Sequence, residues 1–378
     1  MKPADTIKFL VFFLAFLLIS GGVQASDAAV VKNVPVCLEE GRYGGWPANH
    51  GIWNWGNEIL VGFELGYFKA SEERHAIDRD RFREHLLARS LDGGETWTVE
   101  RPEDLIPPAP EKDVTETGIK LGKTPVECPG NIPFTHPGFA FTARRMGGDV
   151  GPSRFYYTAN KGFNWEGPFI MPDFGTPGIA ARTDYLVSGD RELTMFLTSA
   201  KSNSREGRGI CVRTTDGGSS WFRVSFIGPE PEGDEFSIMP STVRLSPTEL
   251  YTAVRLRKSI DAYRSADNGA TWEYVGRPVP DTGRGNPPDL LQLQDGRLVL
   301  VYGYRAEPYG IRARLSDDGG NTWGEDIVLR ADGGNWDVGY TRSVQRPDGK
   351  LVTVYYFNDP SRGERYIDAT IWDAGSKR

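Results

Sequence analysis

"SLDGGETW", Ser90 to Trp97, returns as "TTDGGSSW" from Thr214, "SADNGATW" from Ser265 and "SDDGGNTW" from Ser316. Each copy opens on Ser or Thr, places Asp two residues on and Gly two further, and ends on Trp. Short oxygen-bearing side chains bond nearby backbone N–H groups and Gly accepts a positive φ, so the box is a turn. The flanks "EHLLARS" and "GIRARLS" before it, and "WTVE", "WFRV" and "WEYV" after it, read as strands, which makes the box a hairpin connection within one sheet. A calcium loop of the EF-hand kind needs oxygen ligands at alternating positions up to a terminal Glu, between two helices. Here one Asp per box is constant and the flanks are strands, so the box is architecture.

A worn fifth copy, "TANKGFNW", keeps Thr158, Gly162 and Trp165 but carries Asn160 for Asp. The five tryptophans, Trp97, Trp165, Trp221, Trp272 and Trp323, stand 68, 56, 51 and 51 residues apart, intervals that suit a four-stranded propeller blade. Five boxes and one blade closed by both chain ends predict an all-β, six-bladed β-propeller. The closing strands are expected from "KLVTVYYF", "RYIDATIW" and an N-terminal strand near "NVPVCLEE". Closing the ring removes the open sheet edges that would otherwise aggregate.

The rest of the chain agrees with that reading. Lys2 and Lys8 flank the apolar run "FLVFFLAFLLIS", followed by "GGVQAS"; this is a signal peptide over residues 1–25, too short for a comfortable membrane span. Residues 26–378 are then one exported propeller domain. The 45 Gly and 26 Pro, with 15 Tyr and 10 Trp, suit many short strands joined by turns. A net charge of −7 argues against a nucleic-acid footprint. Three scattered cysteines allow at most one disulfide, and four histidines without an HxH or HExxH pattern give no reason to expect a catalytic metal.

Ser-x-Asp-x-Gly-x-Thr-Trp repeats at these intervals resemble the Asp boxes of the sialidase superfamily, over nearly all of the expected mature chain. The resemblance implies a glycan substrate and boxes on the face away from the active site; no cofactor is expected. It further implies a Tyr nucleophile activated by Glu, an Asp acid/base, and three Arg gripping the sugar carboxylate, a task for which the planar guanidinium fork is suited.

Carried over residue by residue, Tyr340 in "DVGYTRSVQRPDGKLVTVYYF" matches the nucleophile and Asp78 in "EERHAIDRDRFREHLLARS" the acid/base, with Asp80 a near competitor. Arg255, ending "STVRLSPTELYTAVR", matches the second Arg; Arg305 and Arg312 both fit the third. The Arg-Ile-Pro motif that holds the first Arg is missing, and the region reads "GRYGGWPANHGIWNWGNEILVGF", where Arg42 or His50 could substitute. The position expected for Glu holds Met239, with Glu235 four residues earlier. Arg182 and Asp184 are further polar candidates, and Trp46, Trp53 and Trp55 suit either sugar stacking or blade packing. The expected activity is exo-cleavage of sialic acid or a related acidic sugar with retention. A non-catalytic binding propeller and an enzyme acting on another anionic polysaccharide are the alternatives.

Overall fold

In the computed structural model, residues 28–107, 122–146 and 150–376 are described; the segment 1–25, where a signal peptide is expected, lies outside them. Six antiparallel sheets follow one another along the chain as the blades of a propeller. Blade 1 runs through Arg42–Gly45, Glu58–Tyr67, Glu84–Ser90 and Thr98–Glu100, and blade 2 through Ala140–Arg145, Ser153–Thr158 and Glu166–Met171. Blade 3 is built on Glu192–Ala200, blade 4 on Ile238–Arg244, Leu250–Arg255, Ile260–Ser265 and Glu273–Val279, and blade 5 on Leu298–Tyr304. Blade 6 takes Gly339–Gln345, Leu351–Phe357 and Tyr366–Asp373 from the C-terminus and its outer strand, Ala29–Cys37, from the N-terminus. That outer hairpin would join the two chain ends, which is why a six-bladed ring carries five boxes.

Each box works as its composition requires. In the first, Asp92 accepts the Thr96 N–H at 2.9 Å and its hydroxyl at 2.6 Å, while the Ser90 hydroxyl donates to Asp92 and accepts the Gly94 N–H. Asp216, Asp267 and Asp318 repeat the pattern. Asn160 keeps its backbone half, accepting from Asn164 N at 3.1 Å. The box tryptophan then packs between blades. Trp165 is buried against Trp53 with ring centroids 5.4 Å apart, an aromatic pair that contributes about 1 kcal/mol beyond its buried area. Trp53 is therefore packing between blades 1 and 2.

Register sets the two faces of the ring. In blade 4, Ile238 stands opposite Arg255 and Arg255 opposite Ile260, whereas Leu250 stands opposite Ser265 at the other end. The box at Ser265 thus lies at the far end of the strands from Arg255. The inner strands are irregular toward the Arg255 end. Blade 1 breaks into the short helix Pro47–His50, and blades 4 and 6 skip a register step between Ile238 and Ser241 and between Gly339 and Arg342. Trp46, Met239 and Tyr340 sit at these breaks with φ of 59°, 53° and 53°. Such bulges re-aim side chains and persist only where surrounding contacts enforce them. All three cysteines are free thiols. Among the described residues no helix is long and apolar enough to cross a membrane.

Candidate active site

The bulge in blade 6 is pinned from blade 5. Asn286, fully buried, accepts the Tyr340 N–H at 3.0 Å and donates to Val338 O at 2.9 Å. Gly339 has φ 107°, and a Cβ on it would lie 2.4 Å from the Asn286 amide, so only glycine fits this close approach. The backbone so held turns the Tyr340 side chain to the open end of the ring.

There the Tyr340 hydroxyl accepts a hydrogen bond from Arg255 Nη1 at 2.9 Å. The Arg305 guanidinium lies 5.5 Å from the Tyr340 ring centroid, fixed by Val338 O at 2.9 Å, Gly285 O at 3.1 Å and the Tyr356 hydroxyl at 2.6 Å. Burial alone would raise the Tyr340 pKa, but Arg255, Arg305 and Arg182 together outweigh it and hold the phenol below its ordinary range. Arg255 makes no ion pair with a carboxylate among the described residues, and its buried Nε has no acceptor. A cleft of ≈ 680 Å³ opens from Tyr340 between Arg182, Arg255, Arg257 and Arg205, with Phe236 and Glu206 on its walls.

Other sequence candidates lie elsewhere or differently. Of the two choices for the third Arg, Arg305 reaches Tyr340; Arg312 pairs with Asp326 at 2.8 Å and covers Tyr304. Arg42 is bound to Glu84 at 2.6 Å and to the carbonyls of Leu65 and Gly66, away from the arginine group. His50 is buried between blades 1 and 2, 3.6 Å from Glu64, with its pKa pushed down to about 4 by burial and then by Arg144. Neither replaces the missing first Arg; Trp46 stands at that break instead. Glu235 is more than half exposed and pairs with Arg257 at 2.9 Å, so its carboxylate is not on the Tyr340 hydroxyl. Asp78 accepts from Lys69 at 3.5 Å and from the Asp80 N–H, and Asp80 is exposed.

Sequence reasoning missed a second cluster beside Tyr340. The blade 1 segment around residues 68–78 folds back as a hairpin, with Phe68 bridging Ile77, and its tip is tied to the loops that lead into blades 5 and 6. Glu72 O accepts from Trp336 Nε1 at 2.9 Å, and Glu73 O from Arg284 at 3.2 Å. This places His75 edge-on to Tyr340, ring centroids 6.4 Å apart, with its Nδ1 2.5 Å from Asp337. Asp337 is fully buried and also bound by Tyr356, Arg365 and the Ala76 N–H. Burial opposes its charge, but His75, Arg365 and Arg305 keep it ionised well below the usual carboxylate range. A lone His in a charged loop carries no sequence signal; the "DVGY" proximity of Asp337 to Tyr340 was the one available hint.

Residues 139–353 match the family described as BNR repeat-like domain, more than half of the chain. The chain belongs to that family. Its propeller is of the sialidase-like kind. No curated protein sequence matches the chain. Among solved structures, a Dyadobacter fermentans protein of unknown function superposes with a TM-score of 0.67 at 20% identity, covering 92% of this chain and 99% of that one. The Hadza microbial sialidase Hz136 gives 0.60 at 14% identity over 87% of this chain and 65% of its own. The Penicillium chrysogenum α-L-arabinanase complexed with arabinobiose gives 0.60 at 14%, over 92% and 99%. At such identities the likeness establishes the shared propeller, and the chemistry of this BNR repeat-like member has to be read from its own residues.

Proposed function

We propose that this chain is an exported glycoside hydrolase that removes a terminal acidic sugar, sialic acid or a close relative, with retention through a Tyr340-linked intermediate. The observation that carries the reading is the hydrogen bond from Arg255 to the Tyr340 hydroxyl at the mouth of an arginine-lined cleft. A phenol is a weak nucleophile until its proton is lost. Here the field of three guanidinium groups favours the phenolate directly, doing the task that a neighbouring Glu would do. Arg255 borders the cleft and suits the sugar carboxylate, whereas Arg182, paired with Glu206 at 2.5 Å, and Arg305, bound to Val338 O, Gly285 O and the Tyr356 hydroxyl, act through their charge. The proton for the leaving oxygen comes from the blade 1 hairpin, which carries both His75 and Asp78.

The leader expected over residues 1–25 would direct export, and a terminal sugar on a glycan outside the cell is the matching substrate. The test is hydrolysis of 4-methylumbelliferyl sialoside, glucuronide and arabinofuranoside by the full chain expressed for export, beside Arg255→Met. Cleavage of an acidic glycoside with a KM raised at least about tenfold in the variant is expected, the loss of roughly one charge-assisted hydrogen bond. Turnover of the neutral arabinoside alone, or no turnover by folded protein, overturns the proposal and leaves a binding propeller or another polysaccharide enzyme.

A further inference from the structure

We infer that His75, oriented by Asp337, is the proton carrier of this site, giving its Nε2 proton to the leaving oxygen and later taking one from water. The inference rests on the reading of Tyr340 as nucleophile and adds the residue that would complete the reaction.

Ionised Asp337 can only accept, so the 2.5 Å contact fixes the His75 proton on Nδ1 and leaves Nε2 as the working nitrogen. Asp337 cannot wander: Arg365 Nε at 3.0 Å, the Tyr356 hydroxyl at 2.7 Å and the Ala76 N–H at 3.2 Å hold both its oxygens. His75 itself is wedged edge-on against Trp46, 5.2 Å between centroids, and keeps 21% of its side chain exposed. Asp78 lies on the same hairpin, yet its carboxylate accepts from Lys69 at 3.5 Å and from the Asp80 N–H at 3.1 Å. The strap to Trp336 and Arg284 ties the hairpin tip down, and His75 lies edge-on to Tyr340, 6.4 Å between centroids.

In the first step the imidazolium Nε2–H protonates the glycosidic oxygen as its bond to the anomeric carbon breaks. That electron pair stays with the leaving alcohol, and the Tyr340 phenolate forms the new C–O bond. In the second step neutral Nε2 takes a proton from water as the water oxygen bonds the anomeric carbon, and the Tyr340 oxygen leaves with its electron pair. Both groups return to their starting forms.

The groups facing His75 are Asp337, the Tyr43 hydroxyl at 3.5 Å, Arg305 and Arg255, with the rings of Trp46, Trp336, Tyr340 and Tyr356. Burial lowers its pKa, Asp337 raises it, and Arg305 and Arg255 lower it again, with a net fall. An anionic sugar on Arg255 cancels part of that field and favours the imidazolium when substrate is bound.

The test compares His75→Ala, His75→Gln, Asp78→Asn and Tyr340→Phe in the full chain on the acidic glycoside with an alkyl aglycone and on its glycosyl fluoride, which leaves without protonation. For both His75 variants kcat/KM on the alkyl glycoside is expected to fall at least about a hundredfold, with less than about tenfold loss of kcat/KM on the fluoride, whose release needs no proton; that retained first step also shows that they fold. Asp78→Asn should lose no more on the alkyl glycoside than on the fluoride. Equal losses on the two substrates, or the leaving-group dependence appearing in Asp78→Asn instead, overturn the His75 assignment. Full activity of Tyr340→Phe on the fluoride would sink the nucleophile reading separately.

Discussion

Met239 and Tyr340 occupy equivalent places in blades 4 and 6: each is the left-handed residue of an inner-strand bulge, with φ of 53°, and Arg255 reaches toward both. Arg255 Nη1 donates to the Tyr340 hydroxyl at 2.9 Å and lies 3.8 Å from the Met239 sulfur. A carboxylate at 239, where the family pattern expects one, would compete for that guanidinium. Met239→Glu is therefore expected to raise KM for an acidic glycoside about tenfold and to raise the Tyr340 pKa, as kinetics and ultraviolet titration would show. An unchanged KM would mean that Arg255 does not hold substrate.

Tyr340 is held below the ordinary phenol range near ~10. A depressed folded-state value contributes stability that is fully present above the unfolded value and is lost as pH falls through the folded one. The stability difference between the parent and Tyr340→Phe should consequently grow as pH rises from the folded pKa toward about 10. Urea titrations at several pH values, with the phenolate absorbance difference between the two proteins, check this; a difference independent of pH would contradict it.

The boxes offer a built-in control. Asp267 is pulled down to about 2 by the Thr271 hydroxyl and N–H, and Asp318 to about 2 where burial is outweighed by the same pair of bonds from Thr322. Asn160 fills the same position with an amide oxygen. Asp318→Ala should cost about 1–2 kcal/mol, the net value of the bonds removed, and Asp318→Asn less than half of that. Neither should change kcat, because the boxes lie at the far end of the strands from Tyr340. Thermal unfolding beside an activity assay measures both.

Gly339→Ala asks for an L-residue at φ 107° with its Cβ 2.4 Å from Asn286. Strain of about 1–3 kcal/mol is expected, together with loss of activity, because the Tyr340 backbone must move. Stability lost without activity would show that Tyr340 tolerates displacement.

The propeller was legible because its signal is repeated: five turns whose Ser, Asp, Gly and Trp each meet a local need, at intervals that count blades. Ring closure followed from the strand-like ends, and Ala29–Cys37 pairs with Tyr366–Asp373 as that reading required. The site is written only once and from distant segments. Tyr340 and Arg255 stood out as candidates because each lies near a strand end next to a repeated landmark, while the sequence left Arg305 and Arg312 open and only the fold brings Arg305 to Tyr340. Glu235 and Asp78 lie in loops, where a few residues of offset change the partner, and their carboxylates went to Arg257 and Lys69. His75 and Asp337 meet across 262 positions of sequence, a contact made by the hairpin strap that no local pattern encodes.

The most direct test of Tyr340 as nucleophile is trapping. The full chain would be incubated with a fluorinated acidic sugar bearing an activated leaving group, digested, and its peptides weighed. A single added glycosyl mass on the peptide containing Tyr340, absent from Tyr340→Phe, is the expected result. Turnover of the parent substrate with the label on another residue, or with none anywhere, would contradict it.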